Sequence, residues 1–102
     1  MPNYILAYHG GAQPETPEEG AKHMQRWRTW LSDLGDAVVN PGTPLGKSTF
    51  VSAGGVMTDG GPEALTGFSV VSADSMEAAL EMAKACPFVE IGTLEVAVMK
   101  EM

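Results

Sequence analysis

Two helix-start signatures stand far apart in this chain, and together they fix the order in which it can fold. The first is Thr16-Pro17-Glu18-Glu19. Thr16 can cap a helix, Pro17 suits the first helical position, and Glu19 is placed to close a capping box. The second is Asp74-Ser75-Met76-Glu77, with Asp74 as the expected cap and Glu77 at the boxing position. The first helix is expected to end at Gly35, a good residue for the position just past a helix, and the second before Pro87. Between and around these helices the pattern is that of strands.

Asn3–His9 is rich in aromatic and branched residues and reads as a first strand, ended by Gly10-Gly11. Ala37–Val39 reads as a short second strand. Asn40–Gly46 holds so much Pro and Gly that a loop is expected. Ser48–Ser52 and Val56–Thr58 flank Gly54-Gly55 as two short strands that pair across a turn. Leu65–Ser72 follows as a longer strand. In Thr93–Met99 the residues Leu94, Val96 and Val98 alternate with small or polar ones, as in a strand with one buried face.

Two helices separated by a meander of strands predict one α+β domain over residues 1–102. Its architecture is a ferredoxin-like two-layer sandwich, an antiparallel sheet with two helices on one face. The opposite face needs a cover, and a second copy of the sheet is the simplest one, giving a homodimeric α+β barrel. Tyr4, Leu6 and Tyr8, or their alternates, are the candidates for that face.

An apolar fraction of 44 % is that of a globular chain. Thirteen acidic residues against six basic ones, a formal charge of −7, argue against nucleic acid or an anionic membrane as partner. The apolar run Tyr4–Tyr8 is too short for a leader or a membrane span. Cys86 is the single cysteine, so no intrachain disulfide forms, and a cytoplasmic location is expected.

Few residues offer chemistry. At about 100° per residue, Met24, Trp27, Trp30, Leu31 and Leu34 make one apolar helix face, with His23 on its flank. An imidazole there is either an acid/base group or a half-buried histidine satisfied by a carbonyl or water. Asp59 can orient that imidazole, or can simply be the first residue of an Asp-Gly turn, the preferred reading. Cys86, at a helix C-terminus with only Lys84 near it in sequence, is better read as a small buried hydrophobe than as a thiolate. Trp27 and Trp30 suit core or interface better than ligand stacking. His9 ends a strand beside two glycines, where an ordinary loop position is the leading reading. Neither a metal nor a nucleotide cofactor is expected, since no ligand spacing or phosphate-loop fingerprint is present.

Three collinear stretches carry a resemblance. Met57–Phe68 (MTDGGPEALTGF) looks like the Asp-Gly-Pro-Phe segment of the YCII-related (DGPF) family. Ala83–Met102 is similar to the end of that family's domain, a helix closing at an X-Pro-aromatic step before a Gly and a final strand. Ala21–Gly35 fits its first helix, in which YciI-type members carry a histidine, here His23. The resemblance implies a dimeric α+β barrel, usually a small bacterial cytosolic protein. A few related members are dehydrochlorinase-like enzymes acting on hydroxylated aromatics through a His–Asp pair. DGPF-type members are often encoded beside alternative sigma factors, which implies a regulatory role.

Two departures matter. Cys86 precedes Pro87-Phe88 where such members have Asp, and Asp59-Gly60 is followed by Gly61-Pro62-Glu63, so the Phe is lost. The resulting expectation is a pocket between the first helix and the sheet. His23 and Asp59 are its candidate catalytic pair, and Tyr8, His9, Trp27, Cys86 and Phe88 its candidate ligand-binding residues. Acid/base elimination or isomerisation of a small aromatic or enol-like compound is one expected function. A non-catalytic ligand-binding or regulatory dimer is the other.

Overall fold

The structure is a computed structural model that describes residues 1–57 and 64–100. Its elements run β1 (Asn3–Gly10), α1 (Pro17–Leu34), β2 (Val38–Pro44), β3 (Phe50–Ser52), β4 (Gly55–Met57), β5 (Leu65–Ser72), α2 (Met76–Lys84) and β6 (Gly92–Val98). Four strands form an antiparallel sheet in the order β2-β5-β1-β6. Strands β3 and β4 make a separate hairpin. The sheet path is that of the ferredoxin-like α+β sandwich, with the hairpin inserted between its second and third strands.

Side-chain alternation assigns the two faces. Tyr4, Leu6 and Tyr8 of β1 are buried and join Trp30 of α1 and Ala79 and Ala83 of α2 in one core. Across the sheet they stand opposite Val71, Ser69 and Gly67 of β5, and Val98, Val96 and Leu94 of β6. The alternates Ile5, Ala7 and His9 therefore stand on the face away from the helices. Of the two sets that the sequence leaves open for that face, the second occupies it.

The helix signals are realised with one offset. Thr16 caps α1, its Oγ1 accepting from Glu19 N at 3.1 Å, while Glu19 Oε2 accepts from Glu15 N rather than from the cap itself. Gly35 ends the helix at φ 57°, a left-handed conformation natural to glycine. In α2 the cap is Ser75, not Asp74. Ser75 Oγ accepts from Ala78 N at 3.2 Å, and Ala73 N donates to Pro2 O, which sets the approach of the chain. Ala79 and Ala83 then form the buried stripe, and Met76 and Leu80 stand exposed beside it. On α1, Trp30 is buried and Met24 lies outside the core. Trp30 Nε1 donates to Met82 O at 3.0 Å and so joins α1 to α2, a bond worth about 1 kcal/mol.

Strand β2 corrects the expectation of a loop over Asn40–Gly46, because it runs through Asn40, Pro41 and Gly42 to Pro44. Proline breaks a central strand, but β2 is an edge, where missing donors cost little. The ladder with β5 shifts register on both sides of Asn40. There Asn40 Oδ1 accepts from Gly42 N at 2.8 Å, and Gly42 sits at φ 77°. Any Cβ at this position would overlap the Phe68 carbonyl. Strand β5 has the bounds expected, the remaining strand boundaries differ from expectation by one or two residues, and Thr58 lies outside the described residues.

Gly42→Ala is therefore expected to destabilise the fold by roughly 3 kcal/mol, through clash and left-handed strain combined. Gly46→Ala, where a Cβ meets nothing within 4 Å, is the matched control and should be near neutral. Thermal or urea unfolding of the two variants checks this, and equal losses would contradict it.

Candidate functional site

A cavity of about 410 Å³ lies between α1 and the β2–β5 side of the sheet. Helix periodicity sets its roof: His23, Trp27 and Leu31 are spaced four residues apart and share a stripe. Tyr8, the last helix-facing residue of β1, forms the floor. Opposite it stands Gly67, whose missing side chain leaves room, since a Cβ there would come within 3.2 Å of the Tyr8 ring. Phe88 forms the end wall. Cys86 is extended (ψ 130°), as a residue before proline must be, and Pro87 then starts a 3-10 turn, Pro87–Glu90, that carries Phe88 into place.

The aromatic walls pack on one another edge-on or tilted. Tyr8 meets Trp27 at 4.9 Å and 72°, and Phe88 at 5.1 Å and 44°. Trp27 meets Trp30 at 5.5 Å and 65°. Each such pair adds about 0.5–1.5 kcal/mol beyond area burial and fixes the ring planes. The His23 ring lies 6.2 Å from that of Trp27.

The polar groups behind these walls are committed. Tyr8 Oη donates to Ser69 Oγ at 2.7 Å, and Ser69 Oγ donates to Pro41 O at 2.8 Å. Burial pushes the Tyr8 phenol above its ordinary value, the Ser69 bond opposing and nearby Cys86 adding to the rise. Cys86 is only 1 % exposed, and burial pushes its thiol up to about 11, against smaller lowering from a backbone bond at Phe88 and from Tyr8. At neutral pH both are neutral groups, and neither is a nucleophile.

His23 stands on the divide between two concavities. On one side is the aromatic cavity. On the other is an open, charged groove bordered by Glu15, Glu19, Lys22, Arg26 and Glu90. Arg26 Nη1 bonds Glu90 Oε2 at 2.7 Å across that groove. The bond and charge of Arg26 hold the Glu90 carboxyl below its ordinary value, with a smaller contribution from His23.

Of the expected site residues, the structure brings His23, Tyr8, Trp27 and Phe88 to one cavity. Cys86 is buried in the core and is not among the residues that border the cavity. His9 stands on the opposite face of the sheet, where its Nε2 lies 2.9 Å from Glu95 Oε1. Asp59 lies outside the described residues. Arg28, the Pro41–Pro44 rim and Glu90 border these concavities without having been expected from the sequence. Arg28 sits one turn from Met24 and from Leu31, a spacing that would have placed it on the cavity side of the helix. Among the described residues no cluster of His, Cys, Asp and Glu is arranged to hold a metal ion, and no helix is long and apolar enough to cross a membrane.

The raised Cys86 thiol gives a signed expectation. A thiol held protonated by the fold contributes stability that is fully present below the ordinary value of 9.0 and is lost as pH rises toward about 11. Urea unfolding at pH 8 and pH 10.5 should show a loss on the order of 2 kcal/mol, and Cys86→Ala should flatten that slope. An unchanged slope in the variant would contradict the assignment.

No functionally curated protein matches this chain. A solved structure that resembles it is the 5-chloro-2-hydroxyhydroquinone dehydrochlorinase TftG of Burkholderia phenoliruptrix AC1100, in complex with 2,5-dihydroxybenzoquinone. The two superpose with a TM-score of 0.60 at 16 % identity, over 97 % of this chain and 95 % of that one, which shows a shared fold. The YCII-related domain matches residues 1–102, the whole chain, so this protein belongs to the YCII-related domain family.

Proposed function

We propose that the cavity under α1 binds a small aromatic or enol-like compound and that His23 moves a proton to or from it, in an elimination or an isomerisation. The observation that carries this reading is the position of His23. An imidazole, which exchanges protons near neutral pH, stands at the wall of an aromatic-lined cavity. A volume of about 410 Å³ falls in the range of small-ligand sites, about 300–1,000 Å³. The flat rings of Tyr8, Trp27 and Phe88 suit a planar guest, and Arg28 at the rim suits an enolate or phenolate oxygen. The 2,5-dihydroxybenzoquinone in complex with TftG is a planar, enolic compound of that class.

In an isomerisation, His23 takes an acidic proton beside a carbonyl, the electrons move onto the oxygen as an enolate, and the imidazolium returns the proton elsewhere. In a dehydrochlorination the same electrons expel chloride. Neutral Tyr8, its hydroxyl tied to Ser69, serves as a rigid floor and not as a base.

The non-catalytic alternative, a ligand-binding or regulatory dimer, draws support from Cys86, which stands where the sequence resemblance places an Asp. Under either reading we propose a cytoplasmic homodimer. The sheet face away from the helices presents Ile5, Ala7, Phe68 and Ala97 in one apolar band, and a second copy of the chain would bury it.

Three outcomes test these readings. Titration with 2,5-dihydroxybenzoquinone should quench the fluorescence of Trp27 saturably. Chloride release from a chlorinated hydroxyhydroquinone should fall at least about 100-fold in His23→Ala. Binding without any chloride release, across chlorinated and enolisable probes, would favour the non-catalytic reading, and absence of binding would remove both. In sedimentation the protein should run as a dimer and Ile5→Glu as a monomer. A wild-type monomer at micromolar concentration would overturn the pairing.

A further inference from the structure

We propose that Gly67 is the specificity-determining residue of the cavity: a flat ring lies on its bare peptide, in the place of the side chain that this strand position lacks, so planar rings are taken and saturated ones refused. The assignment rests on the reading of the cavity as a ligand site.

Strand parity puts the gap at this residue. Gly67, Ser69 and Val71 of β5 stand opposite Tyr8, Leu6 and Tyr4 and face the helices. Ser69 and Val71 are fully buried and fill the layer between helices and sheet. The row is short of one side chain at Gly67, which borders the cavity. A Cβ there would lie 3.2 Å from Tyr8 Cδ2, 3.3 Å from the Thr43 carbonyl oxygen and 3.6 Å from Pro44 Cα. All three residues border the cavity, so the missing group belongs to its floor.

The backbone does not ask for glycine. Among the described residues the glycines at positive φ are Gly10, Gly11, Gly35, Gly42 and Gly55, and Gly67 is not one of them. It pairs with Tyr8 on one side and Pro44 on the other, as an ordinary residue of an inner strand. The bulge beside it falls on Thr66, the residue skipped between the pairs Tyr8–Gly67 and His9–Leu65. Thr66 Oγ1 lies 3.2 Å from the Tyr8 carbonyl oxygen and 3.0 Å from that of Gly10, which braces the bulge without Gly67. A glycine inside a strand weakens it, and where no turn or bulge requires one, the close approach of another group does.

The walls around this gap are fixed. Tyr8 is held by its hydroxyl on Ser69 and by the edge of Trp27, with ring centroids 4.9 Å apart. Phe88 is seated on two further glycines. A Cβ at Gly92 would overlap its ring, and one at Gly11 would come within 3.2 Å of it. Close-packed rings of this kind do not retreat to admit a thicker guest. The depth gained from one absent side chain suits a ring whose atoms lie in one plane. A puckered saturated ring carries hydrogens on both faces and needs more.

The test compares phenol with cyclohexanol, which share ring size and hydroxyl and differ in planarity. Each is titrated into the wild type, Gly67→Ala and Gly54→Ala, a control whose Cβ meets only Ser52 Oγ at 3.8 Å. Amide and indole NMR shifts report the binding. The wild type and Gly54→Ala should bind phenol at least about tenfold more tightly than cyclohexanol. Gly67→Ala should fold and melt within about 8 °C of the wild type. It should lose at least about tenfold in phenol affinity, so that the preference collapses. Equal binding of the two rings by the wild type would overturn the proposal and leave the cavity a ligand site. So would an unchanged preference in Gly67→Ala, or a failure of that variant to fold, which would make Gly67 a residue of Tyr8 packing alone. If neither ring moved the signals of Tyr8, Trp27 and Phe88, the reading of the cavity itself would fall, and this proposal with it.

Discussion

One buried hydrogen-bond chain shapes the part of this molecule that matters most. Tyr8 of β1 donates to Ser69 of β5, and Ser69 donates to the Pro41 carbonyl of β2. It ties three adjacent strands through side chains, at the place where the backbone ladder between β5 and β2 slips register. A buried hydroxyl without a partner costs about 1–3 kcal/mol, so each member of the chain constrains the next. The Pro-Gly segment is held against the sheet, Gly42 is held in its left-handed conformation, and the rim of the cavity is fixed. The same chain occupies the Tyr8 hydroxyl. The cavity floor is therefore apolar ring surface, with the His23 imidazole at the wall.

What is legible in the sequence is what is decided locally. Thr16, Pro17 and Gly35 bound α1 because capping and left-handed turns depend on neighbours a few residues away. The alternation in β1 and β6 survives because a half-buried strand repeats every two residues. The order of these elements is enough for the α+β sandwich. Strand β2 is not legible, because its pairing is decided by Ser69, nearly thirty residues on, and by its place at the sheet edge. The cap of α2 moves by one residue because Asp74 and Ser75 are both competent caps, and it is Ser75 whose Oγ accepts from Ala78 N.

The candidate site divides the same way. His23 and Trp27 are legible as one stripe of an amphipathic helix, and Phe88 follows from the Pro87 step. His9 has the right chemistry and the wrong face, a distinction that hinges on strand parity. Arg28 and Glu90 escape a reading of the sequence because an exposed charge acquires meaning only from what folds beside it. The six basic residues of the chain include Lys22, Arg26 and Arg28, half of them within one short stretch of α1. In an acidic protein that concentration sets three basic residues around His23 against the carboxylates of Glu15, Glu19 and Glu90.

We propose the aromatic cavity under α1, with His23 on its wall, as the place where this protein meets a small planar ligand. Mapping amide and indole NMR shifts during addition of 2,5-dihydroxybenzoquinone tests it most directly. The changes should gather at Tyr8, Gly67, Phe88 and the Trp27 indole. Changes gathered instead on the opposite sheet face, around Ile5, Glu95 and Ala97, would contradict it.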